Sequence, residues 1–150
     1  MTNLRIEHRF GSADSSRIQC ANYNMIMYEK ILHKELSYKI CGLCFTAHNE
    51  LGPFCSEKTY ADFLEQLFKN SGILYEREKA IPVSFEGEMP RRNIPDFIIE
   101  NKVVLDIKAK RLVLKEDYFQ MKRYLIASNK NLGLIVNFRQ KYLVPKRVLA

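Results

Sequence analysis

The sequence predicts an α/β (α+β-like) domain in which a mixed central β-sheet is flanked by helices. Two amphipathic segments of helical periodicity come first, and short apolar runs of strand length follow them. A third helical segment separates a hairpin from a further apolar run, and this order predicts helices packed on a central sheet. With 150 residues, the chain is long enough to bury about two-thirds of its unfolded surface in one domain.

The composition is typical of a globular protein with a basic surface. Hydrophobic residues make up 47% and charged residues 27% of the chain, and no apolar run approaches the ~18 residues of a membrane span. The formal net charge of +7 favours an anionic partner, of which nucleic acid is the commonest. No secretory segment is visible, so the expected location is cytoplasmic and a membrane is not an expected partner.

Residues 1–24 are predicted to be a disordered or loosely attached arm. The run from Gly11 to Ser16 is polar, and apolar periodicity is missing. We therefore expect a single domain over residues 25–150, whose proper start at Met25 or Met27 the sequence does not decide.

Two helices are expected before the first strand. Apolar residues recur at steps of three or four over residues 29–50, and Leu51-Gly52-Pro53 ends this segment. A second helix is predicted over residues 56–70, with Ser56 as its N-cap. Glu57 lies in its first turn, where an acidic side chain interacts favourably with the helix dipole.

The first helix carries Cys41 and Cys44 at the spacing of a metal or redox pair. A structural zinc site needs four ligands, and the plausible remaining ligands are Cys20, Cys55 and His48. The pair also falls on one stripe of the helix, together with small residues that permit close packing. Buried thiols are therefore the favoured interpretation, and a metal or redox centre is the alternative.

The second half of the chain alternates strand-like runs with turns. Strands are expected at residues 73–80, 81–85, 94–99, 103–107, 132–138 and 142–148, the last as a basic edge strand. A turn is expected at residues 86–90 and a helix over residues 116–129. The runs 94–99 and 103–107, separated only by polar residues, predict a β-hairpin.

Charge interrupts both apolar runs of this hairpin. Asp106 and Lys108 lie two positions apart, so their side chains must point to the same face. A loop of residues 100–102 places Asp96 opposite Asp106, whereas a two-residue loop sends the carboxylates to opposite faces. Asn101-Lys102 lacks the glycine of a two-residue primed turn, which favours the longer loop.

Two adjacent carboxylates repel each other in the absence of a cation. A bound divalent metal removes this conflict, and carboxylate oxygens are its natural ligands. The alternative is that these residues are ordinary solvent-facing charges on a half-exposed antiparallel sheet.

The hairpin residues carry a resemblance to a known family. Pro95-Asp96 followed by Asp106-Ile107-Lys108 resembles the signature of the PD-(D/E)XK nuclease superfamily. Upstream, Leu51-Gly52-Pro53 with Glu57 and Tyr60 resembles the element that names the small GxxExxY proteins, a group placed in that superfamily. The resemblance covers residues 31–149 and continues through His48, Gln120, Tyr124-Leu125 and the run 132–138.

Two positions depart from the pattern of these proteins. Phe54 stands where the GxxExxY element begins with glycine, although Gly52 is retained two residues earlier. Asp106 stands where glutamate is frequent, so its carboxylate reaches one carbon less far. Neither departure removes a charge.

The resemblance implies a restriction-endonuclease-like core and Mg²⁺- or Mn²⁺-dependent hydrolysis of phosphodiester bonds. It implies that Asp96 and Asp106 hold the metal together with the backbone carbonyl of Ile107. Glu57 would complete the metal site, directly or through water. The chemistry is physically consistent, because a metal with an ammonium can activate water and neutralise charge on the phosphate.

The remaining site residues follow from the same resemblance. Lys108 would orient the attacking water or stabilise charge on the phosphate. Gln120 would help to position the nucleophile or the nucleic acid, and Tyr60 and Tyr124 would support the site.

Basic residues on both sides of the acidic hairpin are candidate phosphate contacts. They are Arg91, Arg92, Lys110, Arg111, Lys115, Lys122 and Arg123. The predicted partner is DNA, with RNA as the alternative, and cutting both strands would require a homodimer on stoichiometry. The competing hypothesis is a catalytically silent nucleic-acid- or protein-binding module on the same fold.

Overall fold

A computed structural model describes residues 32–150 of the chain. The predicted arm over residues 1–24, the domain start near Met25 or Met27 and the side chain of Cys20 lie outside the described residues. The first predicted helix is likewise described only from Leu32 onwards.

The described residues form one mixed sheet with flanking helices, as predicted. In chain order the elements are α1 (Lys34–Leu51), α2 (Glu57–Asn70), β1 (Tyr75–Arg77), β2 (Phe97–Ile99), β3 (Val103–Lys108), α3 (Lys115–Ser128), β4 (Leu132–Asn137) and β5 (Lys146–Leu149). The strand order is β1-β2-β3-β4-β5. The β3–β4 pair is parallel and the other pairs are antiparallel. None of the described helices has the length and apolar character needed to cross a bilayer.

Different helices cover the two faces of the sheet. On one face, Val104 and Ile135 pack in a buried cluster with Met121 of α3. On the other face, Phe97 packs edge-on against Phe68 of α2, with ring centroids 5.2 Å apart, and α1 packs against α2. Strands β3 and β4 are therefore buried on both faces, which explains why their sequences are almost continuously apolar.

The helix boundaries follow local backbone signals. Ser56 is the N-cap of α2 as predicted, and its hydroxyl accepts the N–H of Thr59 at 3.1 Å. Helix α1 ends at Gly52, whose φ of 71° lies in the left-handed region. It begins only at Lys34, because His33 has a φ of 52° that a right-handed helix cannot contain. The predicted helical conformation of residues 32–33 is therefore wrong.

Several predicted strands are absent or shorter than expected, and the strand predicted over residues 94–99 is reduced to β2. Residues 81–85 form no strand, and the strand predicted over residues 73–80 is reduced to β1. The reason is that Glu78 takes a left-handed φ of 47°, and Pro82 has no N–H to donate to a sheet. The last strand begins at Lys146 rather than at residue 142, since Pro145 immediately before it cannot donate either.

The cysteines of α1 are packed as thiols. Cys44 is completely buried, Cys41 and Cys55 are half-buried, and all three are free. Burial raises the pKa of the Cys41 and Cys44 thiols. His48, a candidate zinc ligand, instead donates from Nε2 to the carbonyl of Gln140 at 2.8 Å. Cys44 therefore has the buried environment that the helix stripe predicted.

Gly133 of β4 lies against the side chain of Met121. A Cβ at residue 133 would lie 2.2 Å from the Met121 sulfur. We expect Gly133→Ala to lower the free energy of unfolding by about 1–3 kcal/mol through overpacking. The matched control is Gly42→Ala in α1, where nothing lies within 4 Å of the new Cβ and alanine favours the helix by roughly 0.5–1 kcal/mol. Urea unfolding measures both changes, and equal stabilities would contradict the close packing.

Candidate active site

Asp106 and Lys108 lie at the end of β3 on the face covered by α3. Asp106 is only 4% exposed, although the strand around it is apolar. The Lys108 ammonium lies 2.7 Å from Asp106 Oδ2, and it donates a hydrogen bond to Gln120 Oε1 of α3 at 3.1 Å. The predicted common face of Asp106 and Lys108 is confirmed, and Gln120 lies on the same side.

Asp96 immediately precedes β2, and the hairpin register brings it opposite Asp106. Phe97 pairs with Leu105, so Asp96 and Asp106 are the next pair in the same register. The loop comprises residues 100–102, as predicted, and its first two residues have φ values of 53° and 55°. The alternative two-residue loop, which would separate the carboxylates, is therefore wrong.

The backbone of Ile107 faces Asp96. Asp96 Oδ2 accepts the N–H of Ile107 at 2.5 Å. The N–H and C=O of one strand residue point toward the same neighbouring strand, so the Ile107 carbonyl also faces this side. Pro95 lies opposite Ile107 in the continued register, and it has no N–H to donate to that carbonyl. Because residue 95 is a proline, it donates no sheet hydrogen bond to the Ile107 carbonyl oxygen, which lies beside the carboxylates.

Burial in a shared site changes the pKa values of these groups. Desolvation, and then repulsion from Asp106, raises the pKa of Asp96 to about 7, against the opposing Ile107 N–H and Lys108 ammonium. Burial likewise raises the pKa of Asp106, although Lys108 opposes this shift. Burial alone would lower the pKa of Lys108, but the two carboxylates outweigh it and raise that pKa. The site therefore contains negative charge that a further cation would relieve.

Glu57 joins the first turn of α2 to the end of β3. Its Oε1 accepts the N–H of Ala109, the residue after Lys108, at 3.0 Å. Its negative charge also contributes to the raised pKa values of Asp96 and Asp106. Glu57 therefore lies within electrostatic reach of Asp96 and Asp106, although its own side chain is exposed.

Tyr124 of α3 faces the same carboxylates. Its hydroxyl donates to the carbonyl of Ile94 at 3.3 Å, just upstream of β2. Burial, and then the charges of Asp106 and Asp96, raises the pKa of Tyr124 to about 12. The phenol thus stays protonated and holds the chain that leads to Asp96.

Tyr60 acts at a greater distance, on the loop between α1 and α2. Its hydroxyl donates to the carbonyl of Gly52 and accepts the N–H of Cys55 at 3.2 Å. Its ring stacks on Phe138, with centroids 4.2 Å apart. These contacts fix the start of the helix that carries Glu57.

The predicted phosphate contacts differ in their surroundings. The exposed ones are Arg91, Arg92, Arg111, Lys115, Lys122 and Arg123. Lys110 is half-buried, and its ammonium lies 2.5 Å from Asp117 Oδ2. Its charge is therefore already neutralised within the protein.

Two buried polar residues near the site, Asp117 and Asn137, are not predictable from the motif. Asp117 pairs with Lys110 and accepts the N–H of Leu114, the N-cap of α3, at 2.7 Å. The Asn137 side chain bonds both the N–H and the C=O of Lys110, at 3.1 and 2.7 Å. An acidic residue in a first helical turn and a polar residue ending a buried strand are the signals that could have indicated them.

The donor set fits a hard divalent cation such as Mg²⁺ or Mn²⁺. Asp106 Oδ2 is buried, and its contact within residues 32–150 is the Lys108 ammonium at 2.7 Å. Asp96 and the Ile107 carbonyl supply further oxygens on the same side. In that part of the chain no three His, Cys, Asp or Glu side chains are grouped as a metal site. Water would complete the shell, as it usually does around Mg²⁺.

A comparison with protein families agrees with this geometry. The family model described as the PD-(D/E)XK nuclease superfamily matches residues 34–148, so the chain belongs to this superfamily. Its five-stranded mixed sheet with flanking helices is that of a restriction-endonuclease-like α/β fold. No curated protein and no solved structure matches the chain significantly.

The raised pKa of Asp96 predicts that the stability of the metal-free protein depends on pH. An unfolded aspartate has a pKa of about 3.9, whereas Asp96 has a pKa of about 7 in the fold. The folded state binds this proton more tightly, so the resulting stabilisation is complete below about pH 4 and is lost as pH rises to about 7. Relative to wild type, Asp96→Asn should therefore gain stability between pH 4 and pH 8.

Urea unfolding in EDTA at several pH values within this window measures the effect. The control is Asp62→Asn, which removes an exposed carboxylate of α2 that pairs with Arg77. The difference in the free energy of unfolding between Asp62→Asn and wild type should not show the gain that is expected of Asp96→Asn between pH 4 and pH 8. A wild-type-minus-Asp96→Asn difference that is constant with pH would show that Asp96 has an ordinary pKa.

Proposed function

We propose that the protein is a metal-dependent nuclease that hydrolyses phosphodiester bonds in DNA, with RNA as the alternative substrate. The observation that carries the proposal is the pair of buried Asp106 and half-buried Asp96, with Lys108 beside Asp106. Burying two carboxylates against one ammonium is costly for a fold, and such arrangements cluster at functional sites. Membership in a nuclease superfamily supports the same conclusion.

Asp96, Asp106 and the carbonyl of Ile107 would hold Mg²⁺ or Mn²⁺, with Glu57 contacting the ion directly or through water. The bound metal would supply charge neutralisation at the phosphate and a lowered pKa for a coordinated water. The carboxylates bind a cation in their ionised form, so Asp96 would release its proton when the site is filled.

Lys108 would donate a hydrogen bond to an oxygen of the scissile phosphate. Its ammonium is held in place by Asp106 Oδ2 and Gln120 Oε1, and its raised pKa keeps it charged. Negative charge on the phosphate grows toward the transition state, so a fixed ammonium stabilises that state more than the bound substrate. Gln120 would orient this ammonium and donate from its amide nitrogen to the attacking water or the phosphate.

We further assign the chain to the GxxExxY group of the superfamily. Two contacts support the assignment, because they give physical roles to the glutamate and the tyrosine of that pattern. Glu57 ties the helix start to the N–H of Ala109, and the Tyr60 hydroxyl bonds the carbonyl of Gly52. Phe54 in place of glycine is compatible with this arrangement, since the left-handed turn falls at Gly52.

The exposed cations near the hairpin and on α3 would position the phosphate backbone without reading its sequence. They are Arg91, Arg92, Arg111, Lys115, Lys122 and Arg123. Lys110 would act indirectly, because its pairing with Asp117 holds the chain that leaves β3.

Cleavage of supercoiled plasmid, linear duplex, single-stranded DNA and RNA in Mg²⁺ or Mn²⁺ tests the proposal. Asp106→Asn and Lys108→Met should each lower the cleavage rate at least about 100-fold, because each removes a group that stabilises the transition state. The matched controls Asp62→Asn and Lys102→Met should retain the wild-type rate. Both controls change exposed residues, and Lys102 adjoins the opposite end of β3 from Lys108.

The products of the plasmid reaction also report on assembly. Linear DNA formed without a nicked intermediate would support a homodimer that cuts both strands, and nicked DNA alone would support a monomer. If nothing is cut, and calorimetry finds no Mn²⁺ binding that depends on Asp96 and Asp106, the catalytic proposal is wrong. A binding module on the nuclease fold would then be the better interpretation.

A further inference from the structure

The connector between β3 and α3, residues 109–114, is fixed along most of its length. Glu57 accepts the N–H of Ala109 at 3.0 Å, and Arg139 donates to the Ala109 carbonyl at 3.3 Å. The Asn137 side chain bonds the N–H and the C=O of Lys110, at 3.1 and 2.7 Å. The first half of the connector is therefore held by residues from α2, from β4 and from the loop after β4.

Arg111 and Leu114, farther along the connector, are held as well. Gln140 donates from its amide to the carbonyl of Arg111 at 2.9 Å. Asp117 binds the Lys110 ammonium and accepts the N–H of Leu114 at 2.7 Å. Loops that only connect two elements are usually more mobile than the elements themselves. A connector with this many polar contacts is more rigid than its connecting role requires.

Leu112 and Leu114 project from this rigid connector into solvent. They are 60% and 51% exposed, respectively. Val113 between them packs against the core cluster under α3, and the backbone at Leu114 is extended. Because both leucines are exposed while Val113 between them packs inwards, the two leucines face outwards together. The exposed cations Arg111 and Lys115 flank them.

We propose that Leu112 and Leu114 form an apolar wedge that enters duplex DNA beside the scissile phosphate and unstacks neighbouring bases. This inference rests on the proposed nuclease function, and it names the substrate as a duplex that is kinked or opened at the cut. The connector begins directly after Lys108, so the wedge follows the proposed catalytic lysine by only four to six residues along the chain. The flanking Arg111 and Lys115 are complementary to the phosphates on either side of the opened step.

The chemistry of the two leucines fits bases better than phosphates. Exposed apolar side chains gain nothing from a phosphate backbone, whereas proteins that kink DNA insert residues such as leucine between base steps. Rigidity serves the same purpose, because a mobile loop would yield instead of separating stacked bases. The contacts of Asn137 and Asp117 with the connector would thus transmit the force of insertion to the sheet and to α3.

Fluorescence of 2-aminopurine, which rises when the base leaves the stack, tests the wedge. The probe is moved base by base through a duplex bound by the Lys108→Met protein, which keeps both carboxylates. A several-fold rise is expected at one or two adjacent positions. Leu112→Ala and Leu114→Ala in the same background should lose most of this rise, while the salt dependence of binding stays the same because no phosphate contact is removed. The matched control is Leu74→Ala, which truncates a leucine that is 74% exposed next to β1.

Cleavage provides a second readout in proteins that retain Lys108. A mismatch at the base position where 2-aminopurine fluorescence rises already weakens base stacking there. Such a mismatch should therefore restore cleavage by Leu112→Ala and Leu114→Ala toward the wild-type rate. Leu112→Gln, which keeps side-chain length but not apolar character, should behave like Leu112→Ala. Circular dichroism of each variant checks that the exposed substitutions leave the fold intact.

The outcomes separate this inference from the nuclease proposal. The wedge would be overturned if the protein bound DNA without raising 2-aminopurine fluorescence at any position. It would also be overturned if the leucine variants raised the fluorescence equally, and either result would leave the nuclease proposal standing. Failure of a mismatch to restore cleavage would also contradict the wedge. If the protein binds no duplex DNA, the wedge is overturned, and the cleavage assays with single-stranded DNA and RNA decide the nuclease proposal separately.

Discussion

The pairing register between β2 and β3 is the constraint on which the candidate site depends. It sets Asp96 opposite Asp106, and a slip of one residue would send one of these carboxylates to the other face of the sheet. The register is set by the three-residue loop, whose first two residues, Glu100 and Asn101, are both left-handed. Burial of both strands then holds that register, because a slip would force every side chain to repack against a differently shaped part of the core.

The site works against the stability of the fold that carries it. Half-buried Asp96 lies opposite buried Asp106, and Lys108 is the cation paired with Asp106. The resulting repulsion and desolvation raise the pKa of Asp96 to about 7. The surrounding structure compensates, since the Ile107 N–H and the Lys108 ammonium both favour the ionised carboxylate. Carboxylates with such perturbed pKa values cluster at functional sites, which agrees with the proposed metal-binding role.

The parallel β3–β4 pair connects the site to the surface that would meet nucleic acid. Both strands end on the same side, so Asn137 of β4 lies beside Lys108 of β3 and its amide reaches the backbone of Lys110. Arg139 and Gln140 follow β4 and bond the same connector. An antiparallel neighbour would instead present its opposite end here. Strand β4, which supports the β2–β3 hairpin, therefore also fixes the loop that carries the exposed leucines and cations.

The sequence by itself determined the helices, the central hairpin and the motif residues, because each depends on interactions between near neighbours. Strand alternation required Asp106 and Lys108 to share a face, and loop chemistry favoured the register that pairs Asp96 with Asp106. Local patterns failed at residues 81–85, where apolar character suggested a strand but Glu78 and Pro82 prevent sheet pairing. Only the tertiary structure decided the roles of Asp117 and Asn137 and the pairing of Lys110, because these contacts join residues from different elements of the fold. The burial that raises the pKa of Asp96 was likewise decided there, since desolvation depends on every element packed around a group.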